Sequence, residues 1–286
     1  MPKKITLNDL PNFSGWPLRL LGIEPWAVHR KTSTEIIREF EKEKWQPLLD
    51  KVRKAPGIDS IEKVDRLISE DFKGQLACWM GNSLKLMSLP EFQRQYLNLI
   101  EKTLKPLMPA KAIVEFGCGY GSIILNLARR KGFFKSCFMA ADFVPSAAAL
   151  TQEIARRQRV EITTGFCDLG ASRITDLPIP DGAIIFTSYA VMYIPRLRKR
   201  FVQALSKFNP GAVVHLEPCY EHFDPKTLLG LMRQRYVQLN DYNQNLLSLL
   251  QEQQRAKKLK ILMEKPLVMG NNALLPCSLL VWKPIR

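Results

Sequence analysis

The sequence predicts an α/β fold: a parallel sheet closed by a C-terminal antiparallel hairpin and preceded by a helical N-terminal cap. Three observations predict it. From Lys111 onward, short apolar runs alternate with segments of helical period. The first run is separated from its helix by the glycine-rich turn Gly117-Cys118-Gly119-Tyr120-Gly121. Two final apolar runs flank Gly270-Asn271-Asn272, as the strands of a hairpin flank their turn.

Residues 1–105 read as helical and irregular, punctuated by Pro11, Pro17, Pro25, Pro47, Pro56 and Pro90. Thr32-Ser33-Thr34-Glu35 ahead of Ile36, Ile37 and Phe40 is a capping-box start to a helix. Ile61, Val64, Leu67 and Ile68 recur at helical spacing, as do the apolar residues of 92–104. The domain that follows, 106–286, opens with a strand over 112–116, the glycine turn, and a helix over 122–130. A second strand, 136–141, ends in Asp142 and precedes a helix over 147–157. A third, 160–166, ends in Cys167-Asp168. A fourth, 182–187, leads to a helix over 198–208, and a fifth, 212–216, ends in Glu217-Pro218. A helical insertion fills about 221–258, and the hairpin spans 259–269 and 274–282.

Composition narrows the class. With 46% hydrophobic and 24% charged residues in 286, the chain can form a soluble core. No apolar run reaches the length of a membrane span, and the first residues show no apolar signal region, so a cytoplasmic protein is expected. Six cysteines, at 78, 118, 137, 167, 219 and 277, form no CxxC pair, so neither a metal site nor a disulfide framework is expected. The net charge of +15 is spread along the chain, which fits an anionic partner better than a dedicated nucleic-acid arm.

The glycine turn is the informative motif. Glycines at 117, 119 and 121 let backbone approach a ligand where a Cβ would stand in the way. The pattern is GxGxG with Ser122 after it, where a dinucleotide fingerprint has GxGxxG. Glu115 lies two residues before Gly117, a carboxylate that would repel a pyrophosphate and welcome a ligand bearing an ammonium. Asp142, 25 residues after Gly117, ends the second strand, where a carboxylate accepts from ribose hydroxyls. Asp168, ending the third strand, is placed to accept from an adenine amino group.

On Val114-Glu115-Phe116-Gly117-Cys118-Gly119-Tyr120-Gly121, Asp142 and Asp168, the chain over about 105–286 resembles the class I, Rossmann-like S-adenosylmethionine-dependent methyltransferases. The resemblance implies a transferase that uses S-adenosylmethionine and releases S-adenosylhomocysteine, with no metal. It implies that Gly117 and Gly119 line the methionine moiety, Asp142 the ribose and Asp168 the adenine. Cys118, Gly121, Phe143, Cys167 and Leu169 are expected beside them, and Thr187-Ser188-Tyr189 at the sulfonium. Residues 1–105 become a lid over the acceptor.

The acceptor is less legible. Thr187-Ser188-Tyr189-Ala190 lacks the Asp/Asn-Pro-Pro-Tyr/Phe signature of amino-group methylation on bases. Pro218-Cys219 lacks the second Pro-Cys of RNA cytosine-5 enzymes, leaving Cys219 as a packed thiol. Candidate acceptor contacts or bases are Glu217, His215 and His222 by their place near the fifth strand's end, with Tyr193 a further candidate. Each has a packing alternative. Arg196, Arg198, Lys199 and Arg200 begin a helix, where its dipole disfavours cations, so two readings stand: a solvated face, or a site for an anionic acceptor. The expected reaction is methyl transfer to oxygen or nitrogen of a small molecule or modified peptide. An RNA acceptor is the alternative, resting on net charge.

Overall fold

The computed structural model describes residues 2–25, 32–71 and 74–285, whose strands form one ten-stranded sheet. The parallel centre is built by β4 (Ala112–Phe116), β5 (Cys137–Asp142), β6 (Thr163–Phe166), β7 (Ile184–Ser188) and β8 (Ala212–Glu217), in the order β8-β7-β4-β5-β6. All five strands lie where the sequence places them. Antiparallel β10 (Cys277–Pro284) pairs with β8, and β9 (Leu259–Gly270) pairs with β10, which is the expected closing hairpin.

Residue alternation sorts the side chains to two faces. Ile113, Ile184, Phe186 and Val214 point toward α5 (Leu89–Leu104), α6 (Ser122–Ala128) and α7 (Pro145–Gln158). Ala112, Val114, Phe116, Ile185 and Val213 point toward α8 (Lys199–Ser206) and α10 (Leu246–Arg255). Short apolar strands buried on both faces follow from the parallel arrangement, which covers each face with helices.

The N-terminal segment departs from the helical expectation. It contributes β1 (Lys3–Ile5), β2 (Leu76–Met80) and β3 (Ser83–Met87), and β2 pairs with β9, so these strands extend the sheet in the order β1-β3-β2-β9. The turn between β2 and β3 is Gly81-Asn82, with φ of +57° and +59°, a two-residue hairpin geometry that glycine and asparagine tolerate. The helices of this segment are α1 (Trp16–Leu20), α2 (Ser33–Ile37), α3 (Gln46–Lys54) and α4 (Ile61–Asp71), with a π-helical stretch over Arg38–Trp45 joining α2 to α3. The capping box is present: Glu35 N–H donates to Thr32 Oγ1 (3.2 Å) and Thr32 N–H to Glu35 Oε2 (2.7 Å). Leu49, Val52, Ile61, Val64 and Phe92 share the core that lies on β4, so the segment packs against the sheet. The insertion forms α9 (Leu228–Leu239) and α10, and α9 shares a smaller core with β1, β3 and the β9–β10 turn.

Candidate functional site

At the carboxyl ends of β4, β5, β6 and β7 the glycine turn bends the chain sharply into α6. Gly117 has φ +77°, and a Cβ there would lie 2.3 Å from Ala190 Cβ, so only glycine lets β4 and the loop after β7 approach this closely. Gly121 has φ +79° and packs on Thr151, whose Cγ2 would be 2.6 Å from an added Cβ. Gly121 therefore shapes the turn from behind and does not line the cavity in front of it.

That cavity has a volume of about 1370 Å³. One wall carries Gly117, Cys118, Gly119, Asp142, Phe143, Cys167, Asp168 and Leu169, all expected from the sequence. Gly119 N–H donates to Asp142 Oδ2 (2.8 Å), and Val144 N–H to Oδ1 (3.1 Å), so the carboxylate is aimed by the backbone of the turn. Burial pushes the Asp142 carboxyl up, against the stabilising N–H of Gly119. Asp168 is held by an N–H from Gly170 to Oδ1 (2.8 Å). The opposite wall is aromatic. Ser188, Tyr189 and Tyr193 come from the end of β7 and the loop beyond it, and Phe40, Trp45, Phe92 and Tyr96 from the N-terminal segment. Tyr96 Oη and Ser188 Oγ are 2.8 Å apart, and Phe40 meets Tyr193 edge-on at 5.3 Å.

Several sequence-predicted site residues are elsewhere. Thr187 and His215 are fully buried on the face covered by α8, not in the cavity. Trp282 Nε1–H donates to His215 Nε2 (3.1 Å), so the ring's proton is on Nδ1 and donates to Thr187 Oγ1 (2.9 Å). Burial pushes the His215 pKa down to about 3, leaving a neutral packed imidazole. Glu217, on the same face of β8, accepts from the N–H groups of Ala190 (2.9 Å), Val191 (3.1 Å) and Met192 (3.3 Å). Its carboxyl, pushed up to about 7 by burial, anchors the loop after β7 from beneath and does not reach the cavity. His222 bonds Ser278 Oγ (2.8 Å) and Glu264 Oε1 (3.0 Å), also away from the cavity. Cys219 is buried against the Glu217 carbonyl, and burial raises its thiol well above the ordinary range.

Glu115 lines the cavity but is 2% exposed, and its Oε2 accepts the Ile124 N–H (3.1 Å) at the start of α6. Burial raises this carboxyl well above the usual range, and its hydrogen bond braces the start of α6. Arg196, Arg198, Lys199 and Arg200 are exposed at the start of α8. Arg196, Arg198 and Arg200 line a separate cavity of about 210 Å³, which shares Leu169, Gly170 and Ile194 with the main one.

The N-terminal segment reaches the glycine-turn side of the cavity as well as the aromatic side. Ser146 donates both its N–H (2.9 Å) and its hydroxyl (2.7 Å) to Glu41 Oε2, and Trp45 packs against Gly119 and Tyr120. Lys44 lines the cavity, its pKa lowered by burial while Glu39 and Asp142 oppose that shift. Asp65 on α4 accepts through Oδ1 from Tyr120 Oη (2.7 Å) and Ser122 Oγ (2.9 Å). One signal for Asp65 was in the sequence: a carboxylate at position 65 shares the helix face of Ile61 and Ile68, which is otherwise apolar.

No family model matches the chain, and no curated protein matches it. Solved structures do. The [4+2]-cyclase SpnF superposes with a TM-score of 0.54 at 14% identity, over 88% of this chain and 96% of that one. Geranyl diphosphate C-methyltransferase from Streptomyces coelicolor A3(2), in complex with Mg2+, geranyl diphosphate and S-adenosyl-L-homocysteine, gives 0.50 at 14% identity, over 69% and 81%. The small RNA methyltransferase HEN1 gives 0.50 at 14% identity over 69% of this chain, which spans about a quarter (26%) of that protein. At these identities the likeness is one of fold, and it joins proteins of different activity.

Proposed function

We propose that this chain, built on the class I S-adenosylmethionine-dependent methyltransferase fold, transfers a methyl group from S-adenosylmethionine to oxygen or nitrogen of a small, largely apolar molecule. The observation that carries the reading is one continuous cavity. It joins the Gly117–Gly121 turn, Asp142 and Asp168 to an aromatic chamber beneath the N-terminal helices. The donor set fits the cofactor: two carboxylates end adjacent strands where a nucleoside offers hydroxyls and an amino group, beside a turn open to close backbone approach. The complex of the geranyl diphosphate enzyme with S-adenosyl-L-homocysteine supports the same cofactor. When bound, the cofactor supplies an activated methyl on a sulfonium.

The remaining work belongs to the chain's own groups. Asp142 and Asp168 would hold the nucleoside. The rings of Phe40, Tyr96, Tyr189 and Tyr193 would enclose the acceptor and exclude water, and the paired hydroxyls of Tyr96 and Ser188 would orient its polar atom. Among the described residues no histidine lines the cavity, and positioning of the acceptor by these groups would contribute to the rate. An acceptor with an apolar body and an anionic head fits both the aromatic walls and the arginines of the adjoining small cavity, and geranyl diphosphate is a molecule of that kind. The RNA reading rests on the +15 charge and the likeness to HEN1.

Incubating the protein with methyl-labelled cofactor and separate small-molecule, peptide and RNA fractions decides among these. Label in the small-molecule fraction is expected. Label confined to RNA, with strongly salt-dependent binding, would favour the alternative. Tight NAD binding in calorimetry without binding of S-adenosylhomocysteine would refute the cofactor assignment.

A further inference from the structure

The carboxylates lining the cavity are not equivalent. Asp142 is engaged by Gly119 and Val144, Asp168 by Gly170, and Glu62 is paired with Arg129 at the rim. Glu115 is 2% exposed and spends Oε2 on the Ile124 N–H, and burial raises its carboxyl well above the usual range. Asp65 differs from Asp168, which also has one oxygen without a hydrogen-bond partner among the described residues, and from the exposed Glu70: its Oδ1 takes two side-chain hydroxyls, from Tyr120 and Ser122, which leaves Oδ2 without a hydrogen-bond partner among the described residues. The hydroxyl donors lie in the glycine turn and directly after it, and Gln93 Nε2–H donates to Tyr120 Oη (3.3 Å), so the turn and α6 orient the carboxylate and α5 supports Tyr120.

Resting on the cofactor reading above, we propose that Asp65 binds the ammonium of the cofactor's methionyl end through Oδ2. The N-terminal segment thereby closes the cofactor site. Placement along the cavity favours this end of the ligand. Asp142 ends β5 and Asp168 lies just beyond β6, and Asp65 lies against Tyr120 and Ser122 at the start of α6. A nucleoside held by Asp142 and Asp168 would leave its amino-acid chain to groups on the other side of the turn, where Asp65 lines the cavity. Burial already pushes the Asp65 carboxyl up, and an ammonium beside it would restore the charged form.

Two ligands separate this role from a structural one. S-adenosylhomocysteine carries the ammonium; 5′-methylthioadenosine keeps the adenine, ribose and sulfur but lacks the amino-acid end. Calorimetry on the full chain and on Asp65→Asn should show S-adenosylhomocysteine weakened by about tenfold to a hundredfold, the range for one charge-assisted hydrogen bond, with methylthioadenosine nearly unchanged. Glu115→Gln, which leaves the Asp65 carboxylate and both of its hydroxyl donors in place, should keep the wild-type ratio of the two affinities. Equal loss of both ligands in Asp65→Asn, or no loss of either, would overturn the proposal. Failure of the wild-type chain to bind either ligand would overturn the cofactor reading itself, a distinguishable result.

Discussion

Trp282 donates its indole N–H to His215 Nε2 across 3.1 Å, and this contact holds the imidazole in the core between β8 and α8. Because the indole can only donate, the ring is a neutral acceptor on that side, with its proton passed to Thr187. The residue type most associated with proton transfer is here a packing element.

A pH dependence follows. Folded His215 has a pKa lowered to about 3, while the unfolded chain takes up a proton near 6.5. Below that pH the unfolded state binds more protons, so His215 costs stability as pH falls, by up to about 1.4 kcal/mol per unit, and has no effect above about 7. Glu217, raised to about 7, acts in the opposite sense: its stabilising share is present below its unfolded pKa and is lost as pH rises through about 7. Urea unfolding of wild type and His215→Phe from pH 5 to 8 isolates the histidine. The variant should be less stable at pH 8, where Trp282 lacks its acceptor, and the gap should narrow toward pH 5. A gap independent of pH would mean that His215 is reached by water.

Glu217→Ala removes the acceptor of three N–H groups in the loop that carries Ala190, Val191 and Met192. Each buried unpaired donor costs about 1–3 kcal/mol, so a loss of about 3 kcal/mol or more is expected in chemical denaturation. Glu217→Gln, which retains an acceptor oxygen, should recover most of that stability. If the alanine variant unfolded like wild type, the anchoring role would be wrong.

Asp142→Ala should weaken S-adenosylhomocysteine and methylthioadenosine alike, by about 1.5–3 kcal/mol, since both ligands carry the ribose. Calorimetry reads this directly. Unchanged affinity for both would detach Asp142 from the nucleoside.

Replacing Arg196, Arg198, Lys199 and Arg200 with glutamine should raise the acceptor's KM and flatten its dependence on salt, with cofactor affinity little altered. Each exposed charge contributes less than about 1 kcal/mol, so the effect needs all four. Wild-type kinetics at every ionic strength would return these residues to a solvated surface.

The five parallel strands, the closing hairpin and the cavity wall at the glycine turn were legible in the sequence because each rests on a local cause. Apolar runs of strand length need only their own side chains to be buried, and Gly117 and Asp142 end up together because βαβ units bring successive strand ends to one edge. The β2–β3 hairpin has an equally local cause, since Gly81-Asn82 between apolar runs is a turn signal, but the helical periodicity on either side of it is the stronger pattern in residues 1–105. The acceptor-side residues were different. His215, Glu217 and Thr187 lie near the right strand ends, yet which face each presents depends on registers and covering helices that no local pattern specifies. Only the packed sheet turned His215 toward Trp282, and only the docking of α4 and α5 brought Asp65, Gln93 and Tyr96 over the turn. Their partners are dozens of residues away along the chain, and contacts of that span form only when the apolar faces of separate elements are buried against one another.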